Sequence, residues 1–313
     1  MMKKFAMVFP GQGSQSVGML AELATQFPLV EETFKQASEV LGYDLWQLVQ
    51  QGPAEELNKT WQTQPALLTA SVAIYRVWQQ QYPDLVPSVM AGHSLGEYSA
   101  LVCSGALDFQ DAVKLVELRG KLMQQAVPEG AGAMYAIIGL DNESIIDACA
   151  QAAQGEVVSA VNFNSPGQVV IAGSKAAVER AAAVCKEAGA KRALPLSVSV
   201  PSHCALMKPA ADQLAVALEN ITLKAPQTSV INNVDVKAAS ETDEIRTALV
   251  RQLYSPVRWT ETVEKMAKEG VGVLVEIGPG KVLTGLAGRI VKTLSAGAVN
   301  DVKSLDAVNE LLA

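Results

Sequence analysis

The segment Gly92-His93-Ser94-Leu95-Gly96 constrains this chain more than any other, because it places a serine between two glycines. Apolar residues between Val86 and Ala91 predict a short buried strand before it, and residues 98–102 can begin a helix after it. Glycine permits the sharp turn that joins such a strand to such a helix. The pattern therefore predicts a nucleophile elbow that holds the hydroxyl of Ser94 exposed.

Composition indicates a soluble α/β protein. Hydrophobic residues make up 49% of the 313 residues and aromatic residues only 5%, and alanine-rich helical stretches alternate with short runs of valine and isoleucine. No apolar stretch is long enough to cross a membrane, and Met1 to Pro10 is too short for the core of a signal peptide. We therefore expect a cytoplasmic protein, and a monomer in the absence of an obvious apolar patch.

Charge and cysteine content exclude two classes of site. The net charge of −7, without a dense lysine or arginine run, argues against nucleic acid as the main partner. The four cysteines lie far apart without metal-ligand spacing, which predicts reduced thiols and no metal site.

The middle of the chain has its own order of elements. Residues 134–196 read as strand, helix, strand, strand, helix, strand, with Asn164-Ser165-Pro166-Gly167 as the turn between the middle strands. This order predicts a ferredoxin-like small domain over residues 129–198, inserted into a large domain made of residues 1–128 and 199–313.

Ser94 needs a general base, and histidine has a suitable pKa. The chain has two histidines. His93 is adjacent to Ser94, and its side chain should point away in a tight turn. By elimination the predicted base is His203, which stands where the small domain ends and a new helix begins. The group that orients the imidazole cannot be chosen from spacing among 32 acidic residues, and a backbone carbonyl would also serve.

Oxyanion stabilisation is predicted from two backbone N–H groups. Leu95 follows the nucleophile, and Gln12 lies in the glycine turn after the first predicted strand, at residues 5–9. A dinucleotide-binding turn would need glycine at position 16, where the chain has Ser16.

Arg119 falls within the apolar stripe of a helix predicted over residues 108–125. A buried guanidinium requires an anion, which would be either a protein carboxylate or a carboxylate of the substrate.

Several motifs together resemble the bacterial malonyl-CoA:acyl-carrier-protein transacylases over nearly the whole chain. The motifs are Phe9-Pro10-Gly11-Gln12-Gly13-Ser14-Gln15, Gln64-Pro65-Ala66, Gly92-His93-Ser94-Leu95-Gly96-Glu97, Arg119, Asn162, Val200-Pro201-Ser202-His203 and Glu276-Ile277-Gly278-Pro279-Gly280. The resemblance implies an α/β-hydrolase-like large domain with an inserted ferredoxin-like one. It also implies a ping-pong transfer of malonyl from malonyl-CoA, through Ser94, to the phosphopantetheine thiol of a transiently bound acyl carrier protein, with no cofactor on this chain.

The same resemblance implies roles for individual residues. His203 acts as base and then acid, the backbone carbonyl of Gln252 orients it, and Arg119 binds the malonyl carboxylate. Asn162 and Gln64 are implied to line the substrate pocket, and Ser202 resembles the malonyl-selective members. Docking of an acidic carrier would need local cations, for which the candidates are Lys191, Arg192, Lys281, Arg289 and Lys292.

Two other functions remain open from the sequence. An α/β-hydrolase esterase could recruit Asp108, Asp111 or Asp147, although 110 residues follow His203 and no His-Gly-Gly-Gly loop is present. A carrier-binding module without turnover is the non-enzymatic alternative.

Overall fold

A computed structural model of the chain describes residues 3–198 and 200–313. These residues form a mixed α/β fold with a five-stranded parallel sheet and a separate four-stranded antiparallel sheet. The strands of the parallel sheet are β1 (Phe5–Phe9), β2 (Val89–Gly92), β7 (Val230–Ile231), β8 (Val273–Ile277) and β9 (Ser295–Val299). Those of the antiparallel sheet are β3 (Gly132–Ile138), β4 (Val158–Ser165), β5 (Gln168–Ser174) and β6 (Arg192–Pro195).

The α-helices lie before, between and after these strands. Up to the antiparallel sheet they are α1 (Ala21–Gln26), α2 (Leu29–Leu41), α3 (Leu45–Gln51), α4 (Ala54–Leu57), α5 (Thr60–Gln81), α6 (Gly96–Cys103) and α7 (Phe109–Ala126). The others are α8 (Asn142–Ala153), α9 (Lys175–Glu187), α10 (Lys208–Glu219), α11 (Thr242–Gln252), α12 (Trp259–Lys268), α13 (Val282–Ile290) and α14 (Val302–Leu312), with a 3-10 turn at Ala205–Met207.

The parallel sheet has the order β7-β2-β1-β8-β9 and is packed on both faces. Every residue of β1 is buried, and its side chains alternate between two hydrophobic clusters, with Met7 in one and Val8 in the other. A strand covered on both faces needs apolar residues throughout, which explains why β1 and β8 are nearly continuous apolar runs.

The register of β1 and β2 sets the place of the functional loops. Phe9, the last residue of β1, pairs with Gly92, the last residue of β2. The carboxyl ends of the two parallel strands therefore lie side by side, and the loops that follow them are neighbours. One loop carries Gln12 and the other carries Ser94.

The antiparallel sheet has the order β4-β5-β3-β6. Its strands and the helices α8 and α9 follow one another in the order that the sequence predicts, and Ile137, Ile171 and Val178 share one buried cluster between the sheet and its helices. The domain boundaries at 128/129 and 198/199 stay a prediction, and Ser199 lies outside the described residues. Backbone hydrogen bonds from Val257 to Val161 and from Phe163 to Val257 connect β4 to the segment before α12.

Two local expectations are wrong. Val86 is 65% exposed, and β2 begins three residues later at Val89, because the intervening Pro87 and Ser88 do not continue the buried run. The sequence also predicts a helix from about Val17, after the glycine turn at residues 10–15. The first helix begins at Ala21 instead, because Leu20 has a left-handed φ of 64° and ends the preceding turn. The four cysteines are buried and unpaired. No helix within residues 3–198 and 200–313 has both the length and the apolar character needed to cross a membrane.

Candidate active site

Ser94 stands at the turn between β2 and α6 with a left-handed φ of 51°. His93, just before it, donates its backbone N–H to the carbonyl of Phe9 at 2.9 Å, which ties the turn to the end of β1. The backbone N–H of Ser94 donates to Oδ1 of Asn233 at 2.8 Å. A left-handed serine is strained, and these contacts on both sides hold it in that conformation. This is the turn that the glycine-serine-glycine pattern predicts.

The imidazole of His203 contacts the hydroxyl of Ser94, although the two residues are far apart in the sequence. Its Nε2 lies 2.7 Å from Oγ of Ser94, and its Nδ1 lies 2.7 Å from the backbone oxygen of Gln252. A carbonyl oxygen can only accept, so the ring proton belongs on Nδ1 and Nε2 is free to accept from the serine hydroxyl. Gln252 is the last residue of α11, and the next residue, Leu253, accepts the backbone N–H of His203 at 2.9 Å.

The imidazole of His203 is held in its neutral form. Burial, together with the smaller effect of the positive charge of Arg119, lowers the pKa of His203 to about 3, although the hydrogen bond to Gln252 acts in the other direction. A neutral imidazole is the form that can accept a proton from Ser94.

Arg119 is 1% exposed and lies on the buried side of α7, as its position in the apolar stripe predicts. Its Nη2 donates to Oγ of Ser94 at 3.2 Å and to Oε1 of Gln252 at 3.0 Å. Its Nη1 donates to Oε1 of Gln64 at 2.7 Å, and its guanidinium carbon lies 5.4 Å from the centre of the Tyr98 ring. All of these partners are neutral groups.

The salt bridges found within residues 3–198 and 200–313 do not include Arg119. Burial lowers the pKa of the Arg119 guanidinium, because removal from water disfavours its charged form. Tyr98 and Glu97 raise the same pKa, because they favour the charged form. A buried cation without a direct ion pair retains most of its capacity to bind an added anion. The structure thus gives no protein carboxylate in direct contact with Arg119.

A layer of hydrogen bonds that the sequence did not predict lies behind these residues. The side-chain Nε2 of Gln252 donates to the backbone oxygen of Ser94 at 3.0 Å and to Oε2 of Glu97 at 2.8 Å. The same carboxylate oxygen accepts the backbone N–H of Asn233 at 2.9 Å, and Nδ2 of Asn233 donates to the carbonyl of Gly92 at 2.6 Å. Burial raises the pKa of Glu97 to about 7.

A cavity of about 100 Å³ opens in front of Ser94. The predicted site residues that line it are Gln12, Ser94, Leu95, Arg119, Asn162, Ser202 and His203. Gln64 is implied to line the pocket as well, but it lies behind Arg119, outside the cavity wall, and its Nε2 lies 3.5 Å from the sulfur of Met123. Its contact with substrate would therefore be indirect, through the guanidinium.

The predicted oxyanion residues lie at the two loops that follow the central strands. Leu95 immediately precedes the first turn of α6, where backbone N–H groups and the helix dipole favour negative charge. Gln12 is exposed in the loop after β1, and its side chain donates to Oγ1 of Thr60 at 3.3 Å. Oδ1 of Asn162 is buried and has no hydrogen-bond partner among the residues that the structure describes.

His93 has the packing role that its position predicts. Its Nε2 lies 2.8 Å from Oδ1 of Asn164, and its ring centre lies 5.7 Å from that of Trp259. Both contacts reach across to segments far along the chain, so His93 fixes the turn against the antiparallel sheet.

The chain was compared with known proteins. A family model described as an acyl transferase domain matches residues 6–310. A relative from Haemophilus influenzae named malonyl CoA-acyl carrier protein transacylase is 81% identical over 311 residues, which cover 99% of this chain and 100% of the relative.

Solved structures agree with this relationship. An acyl carrier protein S-malonyltransferase from Vibrio cholerae is 72% identical, with a TM-score of 0.96 over 98% of this chain and 100% of that one. A malonyl-transacylase in complex with a type II PKS acyl-carrier protein is 72% identical, with a TM-score of 0.97 over 99% of this chain and 100% of that one.

Proposed function

The chain belongs to the acyl transferase domain family and within it to the malonyl-CoA:acyl-carrier-protein transacylases, and we propose that it transfers malonyl by way of an ester on Ser94. It is an acyltransferase. The donor is malonyl-CoA, and the acceptor is the phosphopantetheine thiol of an acyl carrier protein that binds transiently. The product supplies extender units for fatty acid synthesis.

In the first half-reaction, Oγ of Ser94 attacks the thioester carbonyl of malonyl-CoA while Nε2 of His203 takes the hydroxyl proton. Negative charge on the carbonyl oxygen is stabilised by the backbone N–H groups of Leu95 and Gln12. The carbon–sulfur bond then breaks, His203 returns the proton to the coenzyme A sulfur, and malonyl stays on Ser94 as an ester. The 2.7 Å contact between the two side chains supports this role for His203.

The second half-reaction is the reverse with a new thiol. His203 takes the proton of the phosphopantetheine thiol, the sulfur attacks the malonyl ester, and the proton returns to Oγ of Ser94 as the ester bond breaks. The hydrogen bond from Nδ1 of His203 to the carbonyl of Gln252 stabilises the imidazolium that forms in each half-reaction.

Arg119 is the proposed partner of the malonyl carboxylate. In a malonyl ester that carboxylate is separated from Oγ of Ser94 by two carbon atoms, and Nη2 of Arg119 lies 3.2 Å from the same Oγ. A guanidinium that touches the nucleophile and pairs with no carboxylate in the described chain is well placed to bind it. Gln64 and Asn162 complete the substrate site, Gln64 through its hydrogen bond to Arg119.

The finer description of the molecule follows the same proposal. We describe the large domain as α/β-hydrolase-like and the small one as ferredoxin-like, with the parallel and antiparallel sheets as their centres. The transfer needs no cofactor on this chain, because phosphopantetheine arrives on the carrier. A cytoplasmic monomer fits a chain of this kind.

The observation that carries the proposal is the connected set of hydrogen bonds from Gln252 through His203 and Ser94 to Arg119. The test is intact mass after brief mixing with malonyl-CoA, for the wild type and Ser94→Ala, followed by addition of holo acyl carrier protein. We expect one malonyl adduct that requires Ser94 and moves to the carrier. An absent adduct would favour a binding module, and an adduct lost to water regardless of carrier would favour an esterase.

A further inference from the structure

Gln252 makes two separate contributions to the site. Its backbone oxygen accepts a hydrogen bond from Nδ1 of His203, which the proposed function already uses. Its side-chain amide does something else, because Oε1 accepts Nη2 of Arg119 while Nε2 donates to Glu97. One residue therefore touches both the general base and the arginine proposed to bind substrate.

Two acceptors, one of them the carboxylate of Glu97, set the orientation of this amide. An amide can present either its oxygen or its NH₂ to a neighbour, and only the oxygen can receive a hydrogen bond from a guanidinium. Oε2 of Glu97 and the backbone oxygen of Ser94 both face the Nε2 end, at 2.8 and 3.0 Å, and both accept. Two acceptors at one end of the amide leave its oxygen for Arg119.

Glu97 itself is fixed in place. It is 2% exposed in the first turn of α6, and its Oε2 also accepts the backbone N–H of Asn233 at 2.9 Å. The side chain of Asn233 is held in turn by the carbonyl of Gly92. A carboxylate buried with this geometry acts on its neighbours through hydrogen bonds and does not reach the cavity in front of Ser94.

We propose that Glu97 is a positioning residue that holds Arg119 in place through the side-chain amide of Gln252, and so sets the preference of the enzyme for an acyl group that carries a carboxylate. The inference rests on the proposed function. Glu97 takes no part in proton transfer, and any group at position 97 that presents one acceptor oxygen to Gln252 will serve.

The experiment compares formation of malonyl-serine and acetyl-serine, from malonyl-CoA and acetyl-CoA, in single-turnover measurements by intact mass. Glu97→Ala removes one of the two acceptors of Nε2 of Gln252, so the amide is held less firmly and can no longer fix the position of Arg119 as tightly. We expect the ratio of malonyl to acetyl rates to fall about tenfold, with a raised half-saturating malonyl-CoA concentration. Glu97→Gln keeps an acceptor oxygen and should restore most of the ratio.

Gln252→Met tests the connection between Glu97 and Arg119, because it removes the side-chain amide. It keeps the backbone carbonyl that accepts the hydrogen bond from His203. It should reproduce the malonyl-specific loss, and adding Glu97→Ala to it should cost little more, because both changes break the same connection. Glu276→Ala is the matched control. Glu276 is a fully buried glutamate that accepts the backbone N–H groups of Leu283 and Thr284 away from Ser94, so its loss should lower stability without changing the ratio.

Three outcomes would overturn the proposal: equal loss of both acyl groups in Glu97→Ala, a loss that persists in Glu97→Gln, or fully additive effects with Gln252→Met. If Glu97→Ala does not fold, the Glu97→Gln and Gln252→Met variants still decide between a positioning role and a charged one. Measurements on the wild type distinguish a failure of this proposal from a failure of the proposed function. Absence of its malonyl-serine overturns the proposed function, whereas a wild-type adduct with an unchanged ratio in the variants overturns the role of Glu97.

Discussion

Oγ of Ser94 and Nε2 of His203 lie 2.7 Å apart, although the two residues are 109 positions apart in the chain. Both residues have left-handed backbone conformations, with φ of 51° for Ser94 and 65° for His203. Non-glycine residues adopt this region at a cost of about 1 to 3 kcal/mol each, and they persist there only when the surrounding structure enforces it. The backbone of each is held by a hydrogen bond, to Asn233 and to Leu253 respectively, so the pair is oriented before substrate arrives.

The pH dependence of acylation should have no step near the ordinary histidine pKa. Burial and the charge of Arg119 lower the pKa of His203 to about 3, so at about pH 5 it is neutral and able to accept a proton, whereas a histidine of pKa 6.5 is almost fully protonated. We therefore expect the rate of malonyl-serine formation to stay nearly constant from about pH 7 down to about pH 5. Rapid-quench intact mass measures it.

A circular dichroism spectrum at each pH is the control for folding. The Arg119→Ala variant removes the positive charge that helps to lower the pKa of His203, so this pKa should rise. With acetyl-CoA as the donor, the rate of acetyl-serine formation should therefore begin to fall at a higher pH in the variant than in the wild type. A wild-type acid limb centred near pH 6.5 would contradict the assignment of His203 as a buried, neutral base.

The Arg119→Ala substitution should slow malonyl transfer but not acetyl transfer. If the guanidinium makes a charge-assisted pair with the malonyl carboxylate worth about 3 kcal/mol, the variant should lose roughly two orders of magnitude in malonyl transfer. Transfer of acetyl, which has no carboxylate, should be spared or improved. Single-turnover rates with both donors measure the effect, and an equal loss for the two would refute the role of Arg119.

Elementary chemistry points from the residues to a candidate reactive centre. A serine in the elbow pattern needs a base, and a chain with two histidines leaves only His203 once the neighbour His93 is set aside. Arg119 was predicted because a cation within an apolar helix stripe demands an anion. Predictions of this kind are possible where the residue type itself carries the chemistry.

The parts that residue chemistry alone does not predict act through the backbone or through distant partners. The oxygen of Gln252 that orients His203 belongs to the main chain, which every residue type possesses, so only the family resemblance suggested it. Asn233 bonds the backbone of Ser94 from 139 positions away and lies in a loop without a recognisable pattern. Glu97 did carry a signal, as a charged residue in the otherwise uncharged helix α6, but its partners depend on the fold.

Docking of the carrier should depend on exposed cations. Lys191, Arg192, Lys281, Arg289 and Lys292 are all exposed, and Arg289 also donates to Gln168 at 2.8 Å. On enzyme already malonylated, charge reversal by Lys281→Glu with Arg289→Glu should slow transfer to an acidic carrier roughly fivefold at low salt, with a smaller effect at high salt.

Uncharged pantetheine as the acceptor thiol is the control for that experiment, because it presents no acidic surface. Its rate should be unchanged by the charge reversal. A carrier rate indifferent to both salt and the two substitutions would exclude this pair from the docking surface and leave Lys191, Arg192 and Lys292 to be tested.

Glycine at the elbow should be indispensable, and the reason is steric. A Cβ added to Gly92 would lie 1.8 Å from the carbonyl carbon of Gly96, and one added to Gly96 would lie 2.0 Å from the carbonyl oxygen of Phe9. Both contacts are with backbone, which cannot rotate away, so Gly92→Ala should destabilise the fold by about 2 kcal/mol or more and abolish the malonyl-serine. Gly285→Ala is the matched control, because Gly285 lies within α13 and, apart from its chain neighbours and the nearby backbone of the helix, no described atom lies within 4 Å of the added Cβ. This variant should be more stable by about 0.5 to 1 kcal/mol and fully active. Urea unfolding together with intact mass measures both variants, and a stable, acylating Gly92→Ala protein would show that the elbow can open without losing the position of Ser94.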